Sequence, residues 1–194
     1  MKTLLAVLFL ISAAAVFFAG CKTSRKASET APSRLVSRDG NFELRDYPAL
    51  TIVETTMDSD SGTSFQRLFR YISGANAGGE KIPMTTPVFM AGEEPRRTMS
   101  FVMPEEMKAA PGPKDSALRV TKIPAGRFAV LSFSGTRSSE SEIQALAQLQ
   151  AWMKKSGLVS TGEPLFGYFD PPWTPSFLRH NEVMLRVDDQ KPAR

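Results

Sequence analysis

Along this chain the spacing of apolar residues changes twice in the same order, from strand-like to helix-like and back again. From Phe42 to Met57, "FELRDYPALTIVETTM" alternates and is rich in β-branched residues, which predicts a strand. Asp58 to Gly62 reads as a turn. Phe65, Leu68, Phe69 and Ile72 then fall on one face of a helix, with Asp58 and Asp60 suited to its N-terminal end and Gly74 to its stop. "KIPMTTPVFM", a Gly92–Pro95 turn and "TMSFVMP" follow as two strands. The second half repeats this order. Arg119 to Gly135 is a strand with an early proline, as Pro48 is in the first half, and Ser139 to Glu142 fits a capping box. Ile143, Leu146, Leu149 and Met153 form an apolar stripe ending at Gly157; "LFGYFDPPW" and "NEVMLRV" complete the unit. The segment Pro104 to Ser116 separates the halves. Two strand-helix-strand-strand units predict an α+β fold, a distorted antiparallel β-barrel around a shared core with two main helices packed outside.

Prolines punctuate the ribbon after each helix. Pro83 and Pro87 remove ladder donors and push their predecessors toward extended backbone, so "KIPMTTPVFM" is expected at an edge or to start irregularly. A stiff ribbon there also loses less entropy on folding.

At 194 residues, 42% of them hydrophobic and 23% charged, the chain suffices for one ordinary domain with an appendage. Its net charge of +4 is small and scattered, and several cations (Lys22, Arg25, Lys26, Arg34, Arg38) belong to the N-terminal segment. No nucleic-acid partner is therefore expected. Lys2, an apolar run from Leu4 to Phe18 and the small residues before Cys21 predict a signal peptide over residues 1–20. Cys21 directly after that site resembles the acylated first residue of a bacterial lipoprotein, with Phe18 where the pattern prefers Leu. Cys21 is the only cysteine, which excludes disulfides within the chain and leaves a folded domain without thiol chemistry. Residues 21–40 read as a lipidated tether and residues 41–190 as the folded domain. The expected location is the cell envelope, outside the cytoplasm. In a two-membrane cell Lys22, rather than an aspartate, after Cys21 favours the outer membrane.

Four stretches together, "FELRDYPALTIVETTM", "FQRLFRYISGAN", "KIPMTTPVFM" and "PPWTPSFLRHNEVML", resemble the SOUL haem-binding protein family from about Phe42 to Val187. The resemblance implies a distorted antiparallel barrel built from a duplicated unit, which agrees with the recurrence above. It also implies reversible, non-covalent binding of haem b or another porphyrin, a tetrapyrrole or similar planar ligand.

His180 is the only imidazole and so the only histidine available to iron, though its position between Arg179 and Asn181 before the last strand reads first as a polar rim residue. Arg67 and Arg70 point away from the apolar stripe of the first helix, with Tyr71 between. The two arginines could pair with porphyrin carboxylates or could form a solvated face. Lys81 joins them as it enters the ribbon. Met84, Met90, Met99 and Met103 are read as core rather than ligands. Phe166, Tyr168, Phe169 and Trp173 are either core or the wall of an apolar cleft. No phosphate loop, nucleophile elbow or zinc pattern is present in the sequence. Three functions remain open at this point: a ligand-binding domain with a groove beside the first helix, an envelope module that binds a protein partner and no cofactor, and an enzyme acting on tetrapyrroles, for which the sequence offers no catalytic constellation.

Overall fold

The computed structural model describes residues 29–57, 61–107 and 109–188. The expected signal peptide, Cys21, the expected tether as far as residue 28, and the Asp58 and Asp60 helix start lie outside the described residues. The chain forms β1 (Glu29–Thr30), β2 (Arg34–Asp39), β3 (Phe42–Tyr47), β4 (Leu50–Thr56) and helix α1 (Ser61–Ile72). It continues as β5 (Thr85–Thr86), β6 (Val88–Ala91), β7 (Thr98–Val102), β8 (Leu118–Ile123) and β9 (Gly126–Phe133). Helix α2 (Ser139–Lys155), β10 (Ser160–Tyr168), a 3₁₀ turn (Ser176–Leu178) and β11 (Asn181–Val187) complete it. Residues 29–40, expected as tether, thus carry two strands. β2 pairs with β3 through Arg34 opposite Asp46 and Asp39 opposite Phe42, so backbone pairing rather than side-chain burial orders this polar segment.

The fold is the expected α+β class. Nine antiparallel strands run in the order β2-β3-β9-β11-β10-β6-β7-β4-β8. Without β2 this order is symmetric about the β6–β10 pair: each strand of the first unit has its counterpart at the mirrored place. The two long strands of the sequence are each broken by a proline. Pro48 divides β3 from β4, and Pro124 divides β8 from β9, because proline cannot donate to the ladder and bends its flanks. The two strands pair with each other across both breaks in one register: Phe42 opposite Leu131, Tyr47 opposite Gly126, Leu50 opposite Ile123 and Thr55 opposite Leu118. Each unit therefore completes its neighbour's part of the sheet. The hydrogen-bonded order is open, yet its two ends continue into each other through the proline corners, which bends the sheet into a distorted barrel.

Alternation divides the strands between two cores. Val53, Phe101, Leu131, Val183 and Leu185 face the helices with Leu68, Tyr71, Ile72, Leu149 and Met153. Their neighbours Ile52, Val102, Val130 and Met184 join Tyr47, Leu50, Phe89 and Phe128 on the opposite face. Met90, Met99 and Met103 are buried in the helix-side core and Met84 packs against it.

Both helices are rotated from the expected stripes. In α1 the buried residues are Ser64, Leu68, Tyr71 and Ile72, while Phe69 is 43% exposed. In α2 the cap is Ser138, whose hydroxyl accepts from the Ser141 amide while the Ser141 hydroxyl accepts from the Ser138 amide. This start lies one residue before the expected box and frees Glu142 from capping. Glu142 turns inward with Ala145, Leu149 and Met153, and Ile143 faces solvent. The reason is a charge: both carboxylate oxygens of Glu142 accept from Arg97 Nη2 at 2.7 Å, and Tyr168 donates its hydroxyl to Oε1. This buried pair ties the turn before β7 to the other unit. Burial, reinforced by the Glu142 carboxylate, holds the Tyr168 phenol far above its usual range.

Candidate functional site

The first surface is built at the end of α1. Phe65 stacks on Phe69 with ring centres 6.1 Å apart and meets Phe101 edge-on at 5.3 Å. Phe69 is thereby held on a fixed base while its outer face meets solvent. Gly74 lies at φ +110°, a turn that a residue with a Cβ rarely adopts, and Asn76 locks the chain that follows. Fully buried, Asn76 donates to the carbonyls of Tyr71 (2.9 Å) and Glu80 (2.6 Å) and accepts from the Glu80 amide (3.0 Å). The clamp brings Lys81 opposite Ser73 in an isolated bridge, and the Ile82 amide donates to Ile72 at 2.8 Å. Ser73 follows Phe69 by four residues and Arg70 by three, so Phe69, Arg70 and Lys81 share one surface. Arg70 and Lys81 are both exposed.

Two other expected site residues are used elsewhere. Arg67 donates to Thr55 Oγ1 at 2.9 Å and lies 3.7 Å from Asp115, which fastens α1 to the sheet and to the inter-unit segment. Tyr71 is fully buried and donates its hydroxyl to the Pro111 carbonyl at 2.6 Å. Burial, then the charge of Glu80, raises its pKa, so it is a neutral anchor for residues 104–116 and has no face open to a ligand.

The second surface surrounds His180. A cavity of about 220 Å³ is lined by Thr30, Arg45, Thr86, Phe169, His180 and Glu182. None of the α1 residues or Lys81 lines it, so His180 is separated from the Arg70 and Lys81 surface, and Arg67 and Tyr71 belong to neither. Glu182, on a strand paired on both sides, is 1% exposed. Its oxygens accept from Arg45 at 3.0 and 2.9 Å, and His180 Nε2 lies 2.8 Å from Oε1. Arg45 also donates to Glu43 at 2.5 Å and to the Tyr47 hydroxyl at 3.2 Å. Phe169 meets the imidazole edge-on at 4.6 Å. Burial alone would raise the Glu182 pKa, but hydrogen bonds from His180 and Arg45 and their charges hold it below its ordinary value. Burial alone would likewise lower that of Arg45, and Glu182 reverses the sign. Burial, then the charge of Glu182, raises the Tyr47 phenol.

Arg45, Glu43 and Glu182 were not expected from sequence. The signal was available: Glu43, Arg45 and Tyr47 occupy alternate positions of β3, and Glu182 alternates with Met184, so these charges sit in strands that packing buries. The aromatic group after α2 also divides. Phe166 is in the helix-side core, Tyr168 packs against it, Phe169 lines the cavity, and Trp173 is 81% exposed. A further cavity of about 440 Å³ lies where α2 passes into β10, lined by Met153, Lys154, Gly157 and Leu158 among others. Among the described residues no three His, Cys, Asp or Glu side chains gather as a metal site.

Comparison with known proteins agrees with this architecture. The chain is 30% identical over 179 residues to heme-binding protein 2 of Homo sapiens, covering 84% of this chain and 86% of that protein. In structure it is similar to the C-terminal domain of EcmrR, with a TM-score of 0.58 at 16% identity, covering 76% of this chain and 96% of that one. It is equally similar to a hydrolase from Listeria innocua, with a TM-score of 0.59 at 11% identity and coverages of 79% and 94%. At such identities the two structures establish the fold alone. The SOUL heme-binding protein profile matches residues 28–186, from the start of β1 almost to the end of β11, and the chain therefore belongs to the SOUL heme-binding protein family.

Proposed function

We propose that this chain binds haem or a related tetrapyrrole non-covalently at the surface formed by Phe69, Arg70 and Lys81. The reading is carried by an exposed aromatic ring, braced from beneath by Phe65, and by two exposed cations that helix spacing and the Ser73–Lys81 bridge set on the same surface. A porphyrin is a flat apolar disc with carboxylates on one edge. Phe69 offers its face to the disc, and Arg70 and Lys81 suit the carboxylates. The donor set fits the rim of such a ligand rather than its metal: the imidazole of His180 belongs to the other surface and its Nε2 is already engaged by Glu182. When bound, the tetrapyrrole supplies its absorbing ring and any metal it carries, while the protein supplies apolar contact and charge. Neither lined cavity competes as a complete site. The one at His180 is smaller than the ~300–1,000 Å³ usual for ligand pockets, and the other has Lys154 as its single charged wall residue.

Haemin titration followed at the Soret band tests the assignment. Binding saturates at one equivalent in the native sequence. Arg70→Glu with Lys81→Glu weakens it about tenfold or more, and His180→Ala leaves it unchanged. No Soret change in the native sequence, or loss of binding only in His180→Ala, refutes the site.

The same reading places the domain outside the cytoplasm, held to a membrane by acylated Cys21. Its support is the order of Lys2, the apolar run 4–18 and Cys21. Incorporation of labelled palmitate, abolished by Cys21→Ser, is the test.

A further inference from the structure

We infer that the loop between Phe169 and His180 is a membrane-contacting surface, with Trp173 and Phe177 entering the lipid interface. The inference rests on the acylated-Cys21 reading for its geometry. Trp173 is 81% exposed and Phe177 72%, although both are large apolar residues in a loop with many internal bonds. Arg179 donates to the carbonyls of Thr174 (2.8 Å) and Pro172 (2.5 Å). The Thr174 amide donates to Pro171, the Leu178 amide to Pro175, and the Gly135 amide to Ser176. At the base, the His180 amide donates to Asp170 at 2.6 Å and the Phe169 amide to the His180 carbonyl at 3.2 Å. Three prolines (Pro171, Pro172, Pro175) stiffen the span further. The rings are thus presented outward by a preformed loop, and little ordering entropy remains to be lost when they are covered.

The occupant follows from where the chain enters the fold. Phe169 and His180, the two ends of the loop, line the same small cavity as Thr30. Thr30 pairs with Thr86, and the Ala31 amide donates to the Thr86 carbonyl at 2.8 Å, so the entry point is fastened at this end of the molecule. Seven residues lie between Cys21 and Glu29. At ~3.3–3.6 Å per step, this stretch spans no more than about 29 Å. An acyl chain on Cys21 therefore keeps this end, and the aromatic loop with it, close to the bilayer. Tryptophan and phenylalanine at such a distance have an apolar phase within reach, and tryptophan favours the headgroup boundary. A protein partner would cover the same rings, but nothing would then connect them with the anchored end.

Tryptophan emission reads the contact directly. Trp152 and Trp173 are the two tryptophans, and Trp152 stacks on Phe42, so Trp152→Phe keeps that ring contact and leaves Trp173 as the reporter. The full chain, isolated with its acyl group and placed in phosphatidylethanolamine–phosphatidylglycerol vesicles with brominated acyl chains, is expected to lose at least half of its Trp173 emission. In the Cys21→Ser chain, Trp173→Ala with Phe177→Ala is expected to lower vesicle co-sedimentation about tenfold. Unquenched Trp173 in a vesicle-bound chain overturns the proposal, as does capture of a protein partner by that loop with no quenching. If no palmitate is incorporated, the anchor reading fails by itself. Vesicle binding that depends on Trp173 and Phe177 would then still support the loop, and its absence would overturn it.

Discussion

Replacing Glu142 by Gln removes one charge and almost no volume, and it isolates one of the buried ion pairs that join the two units of the barrel. The side chains of Arg97 and Glu142 are 14% and 7% exposed, so neither charge can recover its hydration if the other is lost. Arg97 Nε is also buried without a hydrogen-bond partner, which leaves the pair dependent on the Nη2 contacts. Breaking a buried pair by removing one partner costs about 3–5 kcal/mol, because the remaining charge stays desolvated. The amide oxygen that replaces the carboxylate would still accept from Tyr168, which places the expected loss near the lower end, about 3 kcal/mol. For a domain of this size that corresponds to a fall in Tm of roughly 6–12 °C. Arg97→Met with Glu142→Gln should recover most of the loss, since the double change leaves no buried charge. Arg119→Met is the contrasting case. Its partner Glu54 is buried, but Arg119 itself is 72% exposed, and such a pair contributes under about 1 kcal/mol. Urea unfolding at neutral pH, followed by circular dichroism, measures the native sequence, these three variants and Arg97→Met alone. If Glu142→Gln costs no more than Arg119→Met, or if the double replacement costs the sum of the singles, the pair is not held as described.

Two further outcomes follow from the polar contacts of the core. The pKa of Glu182 is depressed in the fold below its ordinary value near 4.5, so its contribution is complete above that value and is lost as pH falls through the lower, folded pKa. Stability measured from pH 7 down to pH 3 should fall less steeply below about 4.5 in Glu182→Gln than in the native sequence; equal slopes would refute the linkage. Tyr71→Phe leaves the Pro111 carbonyl without its 2.6 Å donor and should cost about 1–2 kcal/mol in chemical denaturation, with haemin affinity unchanged because the ring stays inside. A change in affinity instead would return Tyr71 to the ligand surface.

Period alone determined much of this protein. The alternation of Val183, Leu185 and Val187, the helical spacing after each strand, and the repeated order of elements are properties of neighbouring residues, and they carried the α+β class and the duplication. The motifs "KIPMTTPVFM" and "PPWTPSFLRHNEVML" likewise pointed to the family that the profile match then established. Tertiary structure decided what depends on distant partners. Pro48 and Pro124 were visible as interruptions, but their facing each other in one unbroken register is a relation between two strands. Phe69 and Tyr71 were both apolar enough to fill the core, and the Pro111 carbonyl selected the one with a hydroxyl. Glu142 looked like a cap until Arg97 drew it inside. His180 was a lone imidazole until Glu182 and, 137 positions from Glu182 in sequence, Arg45 supplied its surroundings. Local spacing records which face a residue prefers; the charge or hydrogen bond that waits on that face is contributed by another part of the chain, and only folding brings it there.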